Sequence, residues 1–451
     1  MNRKILCSTG SHAWGDLIPY LLVLSAFGPY VFPSYGLRCE HLMIYPLLLI
    51  AIPFLILNRR IVRWYPPLLG IIAILLLVSF WTLMVSSDGS HSIVSVSKVI
   101  SSLENFLQPA AIIVLILGFM KRLSYDALSR VFKGVCRMVV VLLSLNSIIV
   151  LLSLFFNLNA FLTPFVRSCF EGPSVWELAM SMGRYSGIFN QPLEAGLTYS
   201  LGLLSWAYLN RHHRKTNFLD YSLLILLFLG GLMTVSKIFI LVGTLIFLVY
   251  WNPFFVLKKH LNRHFMFVGA LGLCLAVWVK NSWNGYSYFF RLFQIKADTN
   301  LIELYTGGRL GAVYSTIPEK FSKVWIEEPL WGYGYGVVSC FDNGFLEFFV
   351  QGGLLALLGY IVLLAIFLRY AWRGFLRGYD EGRLLLAYFF LVLAGNFGGP
   401  VITINRFSTI FWVSATVLFL LIQSRQKEAA RSAFVSGDDR MSASAQEQTH
   451  A

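Results

Sequence analysis

The chain has 451 residues, of which 57% are hydrophobic and only 13% are charged. Soluble domains carry about 25% charged residues, so this composition excludes a soluble protein and predicts an all-α, polytopic membrane protein. The formal net charge of +14 does not indicate a nucleic-acid partner, because no soluble basic segment is present to hold a duplex.

Apolar runs that are long enough to cross a bilayer, roughly 17 to 25 residues each, recur along the chain. We predict about twelve spans that form one bundle over residues 1–423. They begin near Leu17, Leu42, Pro66, Leu103, Val135, Pro192, Leu219, Ile238, His264, Phe345, Leu384 and Asn405. The Ser-, Ala- and Gln-rich composition of 424–451 predicts a disordered tail.

Lys and Arg cluster in alternate connections, as they do in the cytoplasmic loops of membrane proteins. The clusters lie at 59–63, 121–137, 211–215, 258–263 and 369–383. Both termini are therefore predicted inside, and the positive charge would face anionic lipid headgroups. The same rule places two long loops outside, at about 157–191 and 283–342. Long loops between packed helices often carry function, so we expect the site there.

The loop 283–342 combines an amphipathic segment with an aromatic, glycine-rich one. Its apolar stripe predicts a helix along the outer membrane surface or over a cavity. The stripe is Leu310, Val313, Tyr314, Ile317, Phe321, Val324 and Trp325. In the PLWGYGYG segment that follows, the rings of Trp331, Tyr333 and Tyr335 could stack on sugars or anchor at the headgroups. The residues alone favour neither role.

The basic residues of the predicted outer side that ask for an explanation are Arg184, Lys237, Arg291, Arg309 and Arg406. Lys237 lies between two apolar runs joined by almost no loop, where an unpaired cation is costly. Snorkelling to the headgroups explains Lys237 without a ligand. Alternatively, Arg184, Lys237 and Arg309 converge on a phosphate-bearing lipid headgroup, with Arg291 as a further contact.

Two carboxylates stand near the outer start of the span that begins near Phe345. Asp342 or its neighbour Asn343 could cap the helix, and Asp342 is equally well placed to act as a general base. Glu347 lies about one turn further on, among phenylalanines. An apolar surround favours the neutral carboxyl group and suits proton transfer.

Glu194 has a structural explanation instead. Gln191 as N-cap and Pro192 at the first helical position place Glu194 where it can accept a hydrogen bond from the N–H of the cap. The outer segments contain no zinc motif, catalytic serine triad, phosphate-binding loop or paired aspartates. We therefore expect metal-independent chemistry without a cofactor.

Five motifs occur in order over residues 183–360: MGRYSGIFNQPLEAG, TVSKIFIL, GGRLGAVY, EEPLWGYGYG and DNGFLEFFVQGGLLALLGY. Together they resemble the O-antigen polymerase and ligase superfamily of bacterial inner-membrane glycan-assembly proteins. Arg184 and Arg309 match the arginines of the family's motifs, and Lys237 stands where an Arg is more usual. Ligases typically carry a His where this chain has Asp342, so the resemblance favours a polymerase.

The resemblance implies a GT-C-like glycosyltransferase of the bacterial inner membrane, with both termini cytoplasmic and an active site on the periplasmic side. Donor and acceptor would be glycans on undecaprenyl pyrophosphate, with membrane lipids and a chain-length regulator as further partners. The cations named above would bind the pyrophosphate, Arg309 would also stabilise it as a leaving group, and Asp342 or Glu347 would take the acceptor proton in an inverting reaction. The alternatives are a ligase-like transferase and a non-enzymatic flippase, which would carry charged residues at mid-membrane.

Overall fold

The computed structural model describes residues 9–33, 36–57, 66–88, 96–166, 174–211, 217–251, 316–336 and 343–448. Over these residues the chain is mostly helical, with one short hairpin. Four helical segments are long and apolar enough to cross a membrane. They are Ser102–Met120, Tyr125–Leu152, Gly344–Leu376 and Arg406–Ala429. The protein is therefore all-α, with helices suited to membrane insertion.

The described helices follow one another with mostly short connections. The first part contains α1 (Thr9–Ala26), the hairpin β1 (Tyr30–Phe32) and β2 (Leu37–Arg38), α2 (Cys39–Leu57), α3 (Pro66–Asp88), α4 (Val96–Met120), α5 (Tyr125–Leu152), α6 (Asn159–Leu162), α7 (Val175–Ser181), α8 (Pro192–Asn210), α9 (Phe218–Met233) and α10 (Thr244–Trp251). The second part contains α11 (Thr316–Glu327), α12 (Gly344–Leu376), α13 (Asp380–Gly395) and α14 (Asn405–Gln448). A π-helical turn, Ile238–Gly243, precedes α10, and a 3₁₀ turn, Val401–Thr403, precedes α14.

Every predicted span start falls on a described helix except that near His264, which lies outside the described residues. How many of the shorter helices cross the membrane stays a prediction. The backbone of α14 is described as far as Gln448, and the disorder expected for 424–451 stays a prediction.

The helix α8 is central to the bundle, and nearly all of its side chains are buried. It packs against α5, α9, α10, α13 and α14. Small residues allow the π-helical turn to approach it closely, since a Cβ at Gly196 would lie 2.5 Å from Ser236 and one at Gly243 would lie 2.0 Å from Ser200. Such small-residue contacts are typical of packed membrane helices.

The helix α12 is interrupted at Gly352 and Gly353. Gly353 has φ 59° and ψ −156°, a conformation that is essentially restricted to glycine. The backbone groups freed by the break bond to the segment 329–336 that precedes α12. The hydrogen bonds run from Tyr333 N to Val350 O (2.7 Å), Gly334 N to Gln351 O (3.0 Å), Leu354 N to Pro329 O (2.9 Å) and Leu355 N to Leu330 O (3.4 Å). The glycine-rich segment therefore supports a discontinuous helix.

The predicted amphipathic helix is confirmed over Thr316–Glu327. Val324 is buried, and the Phe321 ring stacks on Phe349 of α12 with 4.7 Å between the ring centroids. Lys323 is exposed on the other side. The part of the predicted stripe before residue 316 lies outside the described residues.

The bundle has two ends that differ in chemistry. At one end, here called the motif end, Glu194 at the start of α8 contacts Arg406 at the start of α14. At the other, here called the basic end, Arg425 of α14 contacts Glu381 of α13 at 3.0 Å. At a rise of about 1.5 Å per residue, Arg406 and Arg425 are roughly 28 Å apart along α14. The sequence predicts that the motif end is the outer one.

Candidate functional site at the motif end

The loop 183–191 between α7 and α8, here called the motif loop, is held by α5. Asn146 of α5 donates from Nδ2 to Ser186 O (3.4 Å) and accepts at Oδ1 from Ile188 N (3.0 Å). Between them, Gly187 has φ +64°, and a Cβ there would lie 2.2 Å from Asn146 Oδ1. Only glycine fits this turn, so the geometry requires Gly187 in the GRYSGIF sequence.

Arg184 joins the motif loop to the turn after α9. Its Nε donates to Thr234 O at 3.3 Å and its Nη2 to Val235 O at 3.4 Å. The backbone N–H of Tyr185 also donates to Met233 O at 2.9 Å. The structure thus places Arg184 against the turn that carries Lys237.

That turn has unusual backbone geometry. Val235 has φ +47°, which is a rare conformation for a β-branched residue and stores strain. Lys237 is half-buried and directly precedes the π-helical turn. Strained residues and π-helical turns occur preferentially at functional sites. Arg291 and Arg309, the other predicted phosphate contacts, lie outside the described residues, so convergence of all four cations stays a prediction.

Arg406 is one of the predicted outer cations, but the sequence analysis assigns it no role. Its side chain is 1% exposed, and its guanidinium donates to carbonyl oxygens of three separate segments. The acceptors are Ile188 O, Gly28 O at 3.0 Å and Phe165 O at 2.8 Å. Arg406 therefore ties the motif loop to the segments that follow α1 and α6.

Glu194 is completely buried and joins the motif loop to α14. Its Oε2 accepts from the N–H of Asn190 at 3.1 Å, and its Oε1 accepts from the N–H of Arg406 at 3.0 Å. Gln191 and Pro192 begin α8 as predicted. We predicted that Glu194 accepts a hydrogen bond from the N–H of Gln191. This was wrong, because the donor is the N–H of Asn190, one residue earlier. The carboxylate is shared with Arg406, a tertiary contact that local spacing cannot reveal.

A network of ionisable side chains, which the sequence analysis missed, lies beside this contact. Arg38 Nη1 is 2.5 Å from Glu40 Oε1, and His41 Nε2 is 2.8 Å from Glu104 Oε1. Gln108 donates to Glu40 Oε1 at 3.0 Å. The available signals were the RCEH sequence at the start of α2 and the spacing of Glu104 and Gln108, which puts both on one face of α4.

His41 contacts both a donor and an acceptor. The N–H of Arg38 points to its Nδ1 at 3.4 Å, and its Nε2 lies 3.0 Å from Arg38 Nη2 and 2.8 Å from Glu104 Oε1. The described network also contains three acidic side chains, Glu40, Glu104 and Glu194, and two guanidiniums, Arg38 and Arg406. Positive helix N-termini help to balance this charge, since Glu40 and Glu194 lie in the first turns of α2 and α8.

Glu347 is 2% exposed in the first turn of α12, and its Oε2 accepts from Thr403 Oγ1 at 2.8 Å. Thr403 lies three residues before Arg406, so Glu347 belongs to the motif end. The side chain of Asn343 caps α12 by accepting from Phe345 N at 2.8 Å and Leu346 N at 3.2 Å. Asn343 is therefore the cap that the sequence left open between two residues, while Asp342 lies outside the described residues.

The three aromatic residues predicted to bind glycan pack within the protein. Trp331 stacks with Trp81 at a centroid distance of 5.2 Å, and Tyr335 is 1% exposed. The hydroxyl of Tyr333 donates to Glu327 Oε2 at 2.5 Å. Burial and this carboxylate raise the pKa of Tyr333. Their glycan-binding role stays a prediction, and Tyr335 would have to move to meet a sugar.

The fold and the motif end define a class: an all-α protein with helices long and apolar enough to cross a membrane and a buried ionisable network at one end of the bundle. A scan of the chain against protein-family models finds no match, and a search of curated proteins finds none. Within the described ranges, no group of three His, Cys, Asp or Glu side chains is placed to hold a metal ion. The geometry of the motif end is therefore the basis for assigning a function.

Proposed function

We propose that the protein is a membrane glycosyltransferase that polymerises lipid-linked oligosaccharide repeat units at the motif end. One observation carries the proposal. Arg184 of the motif loop donates to Thr234 O and Val235 O, so two sparse cations, Arg184 and Lys237, belong to one local structure. The same end buries Glu347, one of the two proposed proton acceptors. The family resemblance supports the same assignment.

The proposed reaction transfers a glycan from undecaprenyl pyrophosphate to a hydroxyl of a second repeat unit. The hydroxyl oxygen bonds to the anomeric carbon, the bond from that carbon to the pyrophosphate oxygen breaks, and its electron pair leaves with the pyrophosphate. The hydroxyl proton passes to Asp342 or Glu347. Attack from the face opposite the leaving group inverts the anomeric centre.

The fixed cations would stabilise the charge that develops on the leaving group. Arg184 makes hydrogen bonds of 3.3 and 3.4 Å, whereas charge-assisted bonds to phosphate are typically about 2.7–2.9 Å. A phosphate would therefore compete well with these carbonyl acceptors. Lys237 would add a point charge, and Arg309 with Arg291 would complete the set.

Reconstitution of the full chain with purified lipid-linked repeat units tests the proposal. We expect a ladder of lengthened products, and we expect Arg184→Ala, Lys237→Gln and Arg309→Ala each to abolish it while the protein still inserts. Lys323→Ala is the matched control, because this lysine is exposed on α11. Wild-type ladders from all three cation variants would overturn the assignment. A single transferred glycan without a ladder would indicate a ligase-like enzyme.

The proton acceptor needs a separate comparison. Glu347→Gln preserves the shape and the acceptor for Thr403 Oγ1 but removes the base, whereas Thr403→Val removes the donor and keeps the carboxylate. We expect loss of elongation with unchanged donor binding in Glu347→Gln if Glu347 is the base. If Asp342→Asn alone gives this result, the role belongs to Asp342.

A flippase is the second candidate, because the discontinuous α12 and the buried ionisable network are also found in transporters. The position of the charges favours the enzyme. Glu194, Glu347 and Arg406 lie in the first turns of α8, α12 and α14, away from the bundle centre. Movement of lipid-linked sugars between leaflets without elongation would establish the flippase instead.

A further inference from the structure

A groove with a volume of about 840 Å³ lies between α10 and α13. Among the residues that the structure describes, its lining is almost entirely aliphatic and aromatic, and its charged side chains are Arg211 and Arg383. Phe397, just after α13, lines it as well. Apolar walls with cations are the chemistry of a site for an amphiphile that has a negative head.

The groove runs along α13 from the basic end toward the motif end. Arg383 lies in the first turn of α13 at the basic end, and α13 ends at Gly395. At about 1.5 Å per residue these positions are roughly 18 Å apart. The hydrocarbon core of a bilayer is about 30 Å thick, so one leaflet accounts for about 15 Å of it. The length of the groove therefore matches a lipid of the leaflet at the basic end.

Over the described part of the chain, the head of the groove places two guanidiniums around one carboxylate. Asp380 Oδ1 lies 3.6 Å from Arg211 Nε and 3.7 Å from Arg383 Nη1, so one carboxylate faces two guanidiniums. Both distances exceed the roughly 2.7–2.9 Å of a charge-assisted hydrogen bond. Arg383 is also 40% exposed. A phosphate could bind both guanidiniums without displacing a short ion pair.

We infer that this groove binds an anionic membrane phospholipid, with its phosphate on Arg211 and Arg383 and one acyl chain along α13. The inference does not depend on the proposed glycosyltransferase, whose pyrophosphate contacts lie at the motif end. A polyprenyl lipid with its phosphate at the motif end is the rival occupant. The position of the cations favours the phospholipid, because both lie at the end of the groove opposite Phe397.

Native mass spectrometry of the full-length protein with added phosphatidylglycerol tests the inference. We expect retained phosphatidylglycerol that phosphatidylcholine does not displace. The double variant Arg211→Gln/Arg383→Gln should bind it about tenfold more weakly, as expected for lost charge-assisted contacts. The matched control Arg373→Gln/Arg377→Gln removes exposed charges of the same end that do not line the groove, and it should retain wild-type binding.

A second variant tests the acyl-chain part of the site. Ala394→Phe fills the groove and leaves both arginines, so it should also lose the retained lipid. Leu358→Phe, at a 55% exposed position of α12, is its control and should keep it. The inference is overturned if the filled variant retains phosphatidylglycerol, if phosphatidylcholine binds equally, or if undecaprenyl phosphate is retained instead.

Discussion

Both ends of the bundle pair arginines with carboxylates, but they do so in opposite ways. At the motif end, Arg406 is 1% exposed and its guanidinium is bonded to backbone carbonyls of three segments. At the basic end, Arg211 and Arg383 are 20% and 40% exposed and share Asp380 at distances above 3.5 Å. The motif end fixes the charge of Arg406. At the basic end, Arg425 and Glu381 form a close pair at 3.0 Å, whereas Arg211 and Arg383 at the head of the groove are able to rearrange.

Positive charge can serve a catalytic site or a lipid-binding site, and the two kinds of site have different requirements. A catalytic site stabilises developing charge best when its dipoles are already oriented, so that no reorganisation accompanies the reaction. A lipid headgroup site gains from side chains that adapt and reach the membrane surface. The fixed charge of Arg406 at the motif end is consistent with the proposed bond breaking, and the exposed Arg211 and Arg383 are consistent with the proposed lipid binding. Four substitutions test this difference, and they are given in order of decreasing effect on stability.

Arg406→Ala should have the largest effect. Removing one partner from a buried charge contact typically costs about 3–5 kcal/mol, and three carbonyls also lose their donor. Thermal unfolding in detergent measures the loss of stability. Arg373→Ala, an exposed arginine of the basic end, is the control and should change stability by no more than about 0.5 kcal/mol. Equal effects of the two would show that the ends do not differ.

Gly353→Ala should destabilise the protein more than Gly378→Ala. Both glycines have positive φ, but a Cβ at Gly353 would lie 2.2 Å from the carbonyl carbon of Leu330, whereas Gly378 has open space around it. The conformational penalty alone is about 1–2 kcal/mol, and Gly353 adds a clash with backbone. Thermal unfolding and proteolysis of the 329–336 segment compare them. If both variants behave alike, the segment does not pack against the break in α12.

Glu194→Gln should have an intermediate effect. The carboxylate accepts from two backbone N–H groups, and an amide can accept only one of these bonds while its NH₂ faces the other donor. Leaving a buried donor unsatisfied costs about 1–3 kcal/mol. Glu319→Gln, at an exposed position of α11, is the matched control. A stability of Glu194→Gln equal to that of the control would contradict the shared-carboxylate geometry.

Asp380→Asn should have the smallest effect on stability, within about 1 kcal/mol, because its ion pairs are partly exposed and long. In contrast, we expect Asp380→Asn to strengthen lipid binding. Removing the carboxylate that competes for Arg211 and Arg383 should increase phosphatidylglycerol retention severalfold, which native mass spectrometry detects. Reduced retention would mean that Asp380 positions the arginines for the lipid.

The sequence predicted those features that depend on local pattern. Gln191 and Pro192 begin α8, and the apolar stripe of the long loop gave α11. The hypothesis that Arg184 and Lys237 lie near one another came from sparse outer charge, and the contact of Arg184 with the turn at 234–235 agrees with it.

The features that were missed depend on residues far apart in the chain. Arg406 takes its acceptors from residues 28, 165 and 188, and no spacing rule links these positions. Tyr335 is buried because Thr82 of α3 and Phe106 of α4 contact it. From the sequence alone, a glycine-rich aromatic segment is therefore equally compatible with ligand binding and with packing inside the protein. The residues that contact it decide between the two.

The hydrogen bonds of the Arg406 guanidinium also bear on when the motif end can form during synthesis. The guanidinium connects the carbonyl of Gly28, made early, to the start of the last described helix, α14. A nascent chain on the ribosome cannot close the motif end until α14 has emerged. A product that stops short of α14 would insert its earlier helices while the carbonyls of Gly28, Phe165 and Ile188 still lack this donor.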